Sequence, residues 1–395
     1  MASDGDPPAL DCPACRSEVP AATFCGRCGA RLDAPADAWS ILLRPGVFAN
    51  AHREPVWLPR VSSTLFPRLP GAARRPFRVG LILVVVAVVV LAVARVNGPL
   101  GVMAVIGCPL LFLIYVWQSG VFRDIPARIL LTAMLLGIVL GAGAWLAAGE
   151  FVAGSYGVST GSSFLLLGRE LEAGFLVSLG GALLMLIPAV VTRLFAVPER
   201  ESLDGFVIGA FGALWYSTAA ATTILAPQFT EGLLEGQPPD RMLQDAISYG
   251  IVSAVVTTAA GGVVGAALWF APCRRAGRDP WHARAALTLC SLLALGCYVA
   301  VWAVDAQGLP RFFDIGAKAG LALLALLVVR CAVQVALLHE IPDPATGDPV
   351  LCVHCLRVVP DMPFCVACGA AAQASSRTSR QLRRQYPPVR GQPTG

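Results

Sequence analysis

"VGLILVVVAVVVLAVARV", Val79–Val96, carries no charge until Arg95. A helix needs about 20 apolar residues to cross a hydrocarbon core of about 30 Å, and this run meets that length almost alone. Two more follow at once: "PLGVMAVIGCPLLFLIYVW" from Pro99 and "ARILLTAMLLGIVLGAGAWLAA" from Ala127. Further runs cover roughly 173–195, 205–226, 246–271, 285–304 and 312–338. Across 395 residues, 56% of side chains are hydrophobic and 14% charged, whereas about a quarter are charged in an ordinary soluble domain. The composition excludes a soluble globular protein. It predicts an all-α polytopic membrane protein of about eight transmembrane helices over 79–338.

Orientation follows from arginine, which is retained on the cytoplasmic side near span ends. Arg60, Arg68, Arg74, Arg75 and Arg78 precede the first span, Arg123 and Arg128 follow the second, and Arg274, Arg275, Arg278 and Arg284 follow the sixth. The opposite loops carry Glu150, Glu170, Glu231, Glu235, Asp240 and Asp245, with isolated Arg169, Arg241 and Arg311. Glu199, Arg200 and Glu201 add little either way. An even number of spans then puts both termini in the cytoplasm, in a multi-pass protein of the cell inner membrane. The 78 mostly polar residues before Val79 do not have the form of a short cleavable signal, so the first span is expected to act as an uncleaved anchor.

Each end of the chain carries Cys-x2-Cys, nine residues, then Cys-x2-Cys. The copies are Cys12, Cys15, Cys25 and Cys28 in 1–32, and Cys352, Cys355, Cys365 and Cys368 in 339–370. Two tight turns supplying two thiolates each build a closed tetrahedral zinc site. Gly26, Gly29 and Gly369 suit the bent backbone. The alternative is a disulfide framework, which belongs outside the cytoplasm, whereas the arginine pattern puts these thiols inside. Two structural Zn2+ ions are therefore expected. A closed site leaves no open position for catalysis, and modules this small draw much of their folding energy from the metal. Arg16, Arg27 and Arg31 are offset by Asp11, Glu18 and Asp33, so no specific nucleic-acid partner is expected. A cytoplasmic or membrane protein, or the sister ribbon, fits better. His354 lies in the second knuckle, where it is either a surface residue or a spare ligand.

"FCGRCG" and "FCVACG" resemble the short zinc-ribbon family of many bacterial proteins, over about twenty residues at each end. The whole chain is similar to bacterial multi-spanning membrane proteins with two such ribbons, a likeness that implies no activity. The stretch "IPAVVTRLFAVPERESLDGFVIGAFGALWYSTAAATTI" also looks distantly like PrsW-type intramembrane metalloproteases. Pro188 and Asp204-Gly205 match that pattern. Val191 and Thr192 stand where the family has an acidic pair, and Ala220 lies near its third glutamate. The sixth span has no histidine, and His52, His282, His339 and His354 all lie outside span interiors. Metal hydrolysis needs about three protein ligands and a base. The resemblance thus implies a protease-like fold without catalysis.

Residues 33–78 are Pro-rich. They read either as a solvated tether or as a segment lying on the inner headgroups, with Trp57, Leu65 and Phe66 dipped in and lipid as partner. Residues 371–395 hold five arginines and no acid, a composition expected to stay disordered. Lys318, the only lysine, has Asp314 four residues earlier on one helix face. They form a structural pair or part of an ion pathway. Arg193 and Arg330 are expected to snorkel toward the inner surface. Gly137/Gly141, Gly205/Gly209 and Gly261/Gly265 permit close helix contacts, while Pro109 and Pro188 can kink their helices. Tyr216, Ser217, Thr218, Thr222, Thr223, Ser253, Thr257 and Thr258 either line a cavity or bond between helices. Cys108, Cys273, Cys290, Cys297 and Cys331 read as small apolar fillers. A non-catalytic membrane scaffold or regulator presenting two ribbons is the leading expectation. A small-solute or ion transporter comes next, and a degenerate PrsW-like protease last.

Overall fold

The computed structural model describes residues 9–33, 42–44, 46–52, 54–70, 73–156, 163–195, 201–230, 243–273, 280–307 and 310–387. Arg274, Arg275, Arg278, Glu199, Arg200, Glu231, Glu235, Asp240 and Arg241, on which part of the orientation reading rests, lie outside them, as does Arg390.

Among the described residues, eight helices are long and apolar enough to cross a membrane. In chain order the elements are β1 (Ala9–Asp11), β2 (Glu18–Pro20), α1 (Val61–Thr64), α2 (Arg74–Val93), α3 (Asn97–Gln118), α4 (Val121–Asp124), α5 (Ala127–Tyr156), α6 (Ser163–Leu194) and α7 (Ser202–Thr230). A π-helical stretch, Ala246–Val252, runs into α8 (Ser253–Trp269), followed by α9 (Pro280–Ala306), α10 (Arg311–His339), β3 (Pro349–Leu351), β4 (Val358–Pro360) and α11 (Arg377–Gln385). The spans are those the apolar runs predict, and the two four-cysteine modules flank them.

Small residues set the centre of the bundle. A Cβ on Gly209 would collide with the Gly261 carbonyl oxygen, and one on Gly265 with that of Gly205. The two Gly-x3-Gly faces of α7 and α8 therefore press backbone to backbone, as the spacing predicts. On its other side α7 meets α5, where Gly137 and Gly141 leave room for Gly212 and Tyr216 main chain. Gly209→Leu should destabilise the bundle by about 3 kcal/mol through overpacking. Thermal unfolding in detergent reads this directly, and an unchanged midpoint would refute the contact.

The described part of residues 46–70 is packed into the protein and is not a solvated tether. Phe66 packs in the protein core, with ring centroids 4.5 Å from Phe77, 5.0 Å from Tyr115 and 5.6 Å from Phe112. Leu65 is buried beside it, whereas Trp57 is exposed. Arg330 does not snorkel either. It is fully buried, donating to Ser63 Oγ (3.1 Å), Thr64 Oγ1 (3.2 Å), Glu54 (3.2 Å) and the Pro55 carbonyl (2.9 Å), with its guanidinium 4.1 Å over the Phe48 ring. A buried ion pair with added neutral acceptors replaces the solvent that snorkelling would have reached. Gln334 receives the Ala49 N–H (2.7 Å) and donates to the Val47 carbonyl (3.0 Å). These bonds tie the juxtamembrane segment to α10. Arg193 is half-buried, with Nε on the Leu268 carbonyl (3.1 Å) and its charge 5.5 Å over Trp269.

One end of the bundle is formed by the starts of α2, α5, α7 and α9 and the ends of α3, α6, α8 and α10. Both four-cysteine modules sit there, which we term the ribbon face.

Candidate metal centres and the ribbon face

In each module the thiols of four cysteines lie within 4.8 Å of one another. Cys12 and Cys28 sulfurs are 3.7 Å apart and Cys15 and Cys25 3.8 Å; Cys352 and Cys368 are 3.8 Å apart and Cys355 and Cys365 3.9 Å. A disulfide needs about 2.05 Å. A tetrahedron with about 2.3 Å from metal to each thiolate has edges of about 3.8 Å. Both sites therefore fit a four-coordinate metal ion, with all eight predicted ligands in place. Among the described residues these are the two groups able to hold a metal.

Each ribbon is a two-stranded hairpin, β1 with β2 and β3 with β4, followed by a second knuckle. The turns use left-handed backbone at Gly29 and Gly369 (φ +73° at both), and also at Arg16 and Leu356, where a side chain accepts that strain. Gly26 has a different use from the one its turn suggested. A Cβ there would collide with Met362 Sδ of the other ribbon.

The two ribbons pack on each other reciprocally. The second copy follows the first by 340 positions, and the contacts obey that offset. Phe24 N–H donates to the Val366 carbonyl (3.1 Å), while Phe364 N–H donates to that of Gly26 (2.9 Å). Gly29 faces the Phe364 ring and Gly369 the Phe24 ring, at separations a side chain would fill. This is the isologous contact of a twofold dimer, made within one chain.

A buried ionic cluster anchors the pair to the bundle. Arg68, fully buried, bonds to Asp204 of α7, Glu201 (2.7 Å) and Asp124 (3.6 Å). Arg380 of α11 bonds to Glu201 and to Asp343 (2.6 Å), and Arg377 Nη2 reaches Asp204 (3.4 Å). Asp124 accepts both opening N–H groups of α11, from Arg377 (2.7 Å) and Thr378 (3.0 Å), and the Thr378 hydroxyl (2.7 Å). An anion at a helix N-terminus is favourable. Residues 377–385 are thus a docked helix rather than disordered chain, because bundle acids complement arginines that have none nearby in sequence. Burial raises the Glu201 carboxyl, but Arg68, Arg380 and Arg377 outweigh it and hold the group below its ordinary value. For Asp124 burial is likewise outweighed, by the Thr378 bonds and Arg68. The same carboxylates hold the Arg68 proton more tightly than usual against the effect of burial.

Glu340, just beyond α10, is the opposite case. Ser202 N–H (2.7 Å) and Oγ (2.8 Å) both donate to its Oε1, whereas Oε2 is buried without a partner. Burial pushes this carboxyl up to about 8. The folded protein therefore keeps a proton that the unfolded chain releases at about pH 4.3. Stability contributed by this group falls as pH rises from about 5 to 8, by up to about 1.4 kcal/mol per unit. Glu340→Gln should flatten that slope in denaturation measured across this range, and an unchanged slope would assign it elsewhere.

At the far end of the bundle, Lys318 is buried and bonds to Asp314 (3.0 Å), Asp305 and Ser248 Oγ (3.3 Å), with Gln244 also donating to Asp314 (3.0 Å). The Asp314 pairing is the one its spacing predicts. Asp305 and Ser248 come from α9 and the π-helical stretch; an acid at a span end is the one signal for Asp305, and Ser248 has none. Ser217 and Ser253 link α7 to α8 through their hydroxyls (3.2 Å). Thr218, Thr222, Thr223 and Thr257 bond to carbonyls of their own helices at 2.6–2.9 Å. Thr192, where the protease pattern has an acid, does the same toward Pro188 (2.7 Å).

Comparison of the chain with protein-family models, curated proteins and solved structures finds no match.

Proposed function

We propose that this chain is a non-catalytic inner-membrane scaffold or regulator, in which two zinc ribbons pair into one unit on the cytoplasmic end of an eight-helix anchor and dock a protein partner. The observation that carries this reading is the reciprocal ribbon contact seated on one end of the bundle. Four thiolates per site select a soft or borderline ion, for which zinc is the ordinary occupant. Arg75, Arg78, Arg123 and Arg128 lie at that same end, which supports a cytoplasmic, reducing location. Closed sites offer no open coordination position, and Asp204, the acid shared with the PrsW-like pattern, is spent on Arg68. Both points favour a structural over a hydrolytic role. Pulldown from membranes with the intact chain, compared with a Cys28→Ser/Cys368→Ser variant inserted at equal level, tests the reading. Partners should be lost from the variant, and full retention of them would contradict it.

A transporter is the second reading, favoured by the buried Lys318 and Asp314 and the half-buried Asp305 beside a π-helical stretch. Solute flux that vanishes in Lys318→Ala vesicles would support it, and flux equal to protein-free vesicles would dismiss it.

A further inference from the structure

Between the carboxy-terminal ribbon, α11 and the end of α3 lies a pocket of about 520 Å³, within the range of small-ligand sites. Arg68, Arg123, Arg383 and His354 line it together with the hydroxyls of Ser376 and Ser379, and no aspartate or glutamate is among its described lining residues. Arg68 is already matched by three carboxylates. Arg383 is not: its guanidinium donates to the Ser379 carbonyl (3.3 Å), the Leu351 carbonyl (3.3 Å) and Ser375 Oγ (2.9 Å), all neutral acceptors. The neighbouring Arg380 and Arg384, by contrast, are paired with acids. Arg123 is exposed and makes no ion pair among the described residues. Both ring nitrogens of His354 are buried without a hydrogen-bond partner. In any protonation state at least one of them is a donor. The pocket therefore holds donors and positive charge in excess of what the protein itself satisfies.

Beside further neutral polar residues, Gln118, Ser119 and Thr378, the pocket has an apolar wall of Leu69, Leu351 and Leu382. Gln118, Ser119 and Gly120 at the end of α3 line it, between the exposed Trp117 (79%) and Phe122 (45%) in sequence, and exposed Tyr386 (77%) lines it too. Aromatic residues collect at the headgroup layer. Cationic donors beside an apolar wall at that depth match an amphiphile with an anionic head, and Arg is suited to phosphate oxygens. We propose that this pocket binds the phosphate headgroup of an anionic glycerophospholipid, with Arg123, Arg383 and His354 as its donors and the leucines holding the start of an acyl chain. A soluble phosphate would use the same donors but leave the apolar wall empty. The site is independent of which protein the ribbons bind.

The test uses the full chain, delipidated in neutral detergent and titrated with phosphatidylglycerol, phosphatidylcholine or inorganic phosphate while binding is read by native mass spectrometry. One phosphatidylglycerol should bind at least about tenfold more tightly than phosphatidylcholine, whose phosphate carries a choline cation that the arginines repel. Arg123→Gln, which breaks no ion pair among the described residues, should weaken it about tenfold through the loss of about one charge-assisted contact. Arg123→Gln/Arg383→Gln should weaken it further, with metal content confirming an intact ribbon. If that double variant loses its metal, Arg123→Gln alone decides. Equal affinity for the two lipids, or wild-type affinity in Arg123→Gln, would overturn the site. Inorganic phosphate displacing phosphatidylglycerol at equal concentration would overturn the lipid assignment in favour of a soluble phosphate.

Discussion

Cys28→Ser is expected to strip the metal from the amino-terminal ribbon and to weaken the carboxy-terminal site as well. Metal binding supplies apparent folding energies of about 10–16 kcal/mol in comparable modules. Removing one of four thiolates opens the tetrahedron on which the hairpin depends. The effect should then cross the pseudo-twofold axis. Phe24, four residues before Cys28, donates to Val366 and fills the space over Gly369. With the first ribbon unfolded, Phe364 and Met362 lose the surface they cover. Elemental analysis should find one metal per chain instead of two, and the remaining ion should leave at lower chelator concentration than in the wild type. Helical circular dichroism should barely change, since the bundle packs through α5, α7 and α8. Retention of two ions, or a second site with unaltered chelator resistance, would show that the ribbons fold independently.

Arg68→Met carries the other large effect. Arg68 has no exposed side-chain surface and sits among Asp204, Glu201 and Asp124. Its loss leaves buried carboxylates with only Arg377 and Arg380 to balance them. Breaking one side of a buried pair costs about 3–5 kcal/mol, more than the intact pair contributes over an apolar substitute. The damage should focus on the ribbon face. Protease susceptibility after α10 should rise sharply as α11 loses its dock, while the far-end Lys318 network is untouched. A pH signature accompanies it. Glu201 and Asp124 have depressed carboxyl values in the folded protein. Their contribution is complete above the ordinary carboxylate range and is lost as pH falls through the folded values. Wild-type α11 should therefore undock in acid, and Arg68→Met at higher pH than wild type. Identical digestion profiles for the two proteins would mean that the cluster does not hold the tail.

The spans and the two four-cysteine clusters were legible because each is a local pattern. An apolar run longer than the bilayer is thick has few other uses, and Cys-x2-Cys fixes two ligands within one turn. The glycine pairs were legible for the same reason, since Gly205/Gly209 and Gly261/Gly265 each mark one helix face. What could not be read was pairing between distant segments. Arg68 finds Glu201 and Asp204 133 and 136 positions away, and Arg330 finds Glu54 across 276. Nothing local distinguishes these arginines from ones that point to headgroups. The Pro-rich linker lacks periodicity, so its burial on α10 through Gln334 left no pattern. The tail has no acid of its own, so its helix depends on Asp124. The repeat of the cysteine module did hold the clue to ribbon pairing. Without the Phe24 and Phe364 contacts, however, it could not tell two ribbons apart from one pair.

The pairing of the ribbons within one chain is most directly tested by a photo-crosslinking amino acid at position 362 of the full chain in native membranes, followed by peptide mapping. Met362 touches the Gly26 backbone in the folded protein. The expected product is a link inside a single chain to the peptide containing Phe24–Cys28. A link to a second chain, or to no part of the amino-terminal ribbon, would contradict the paired arrangement.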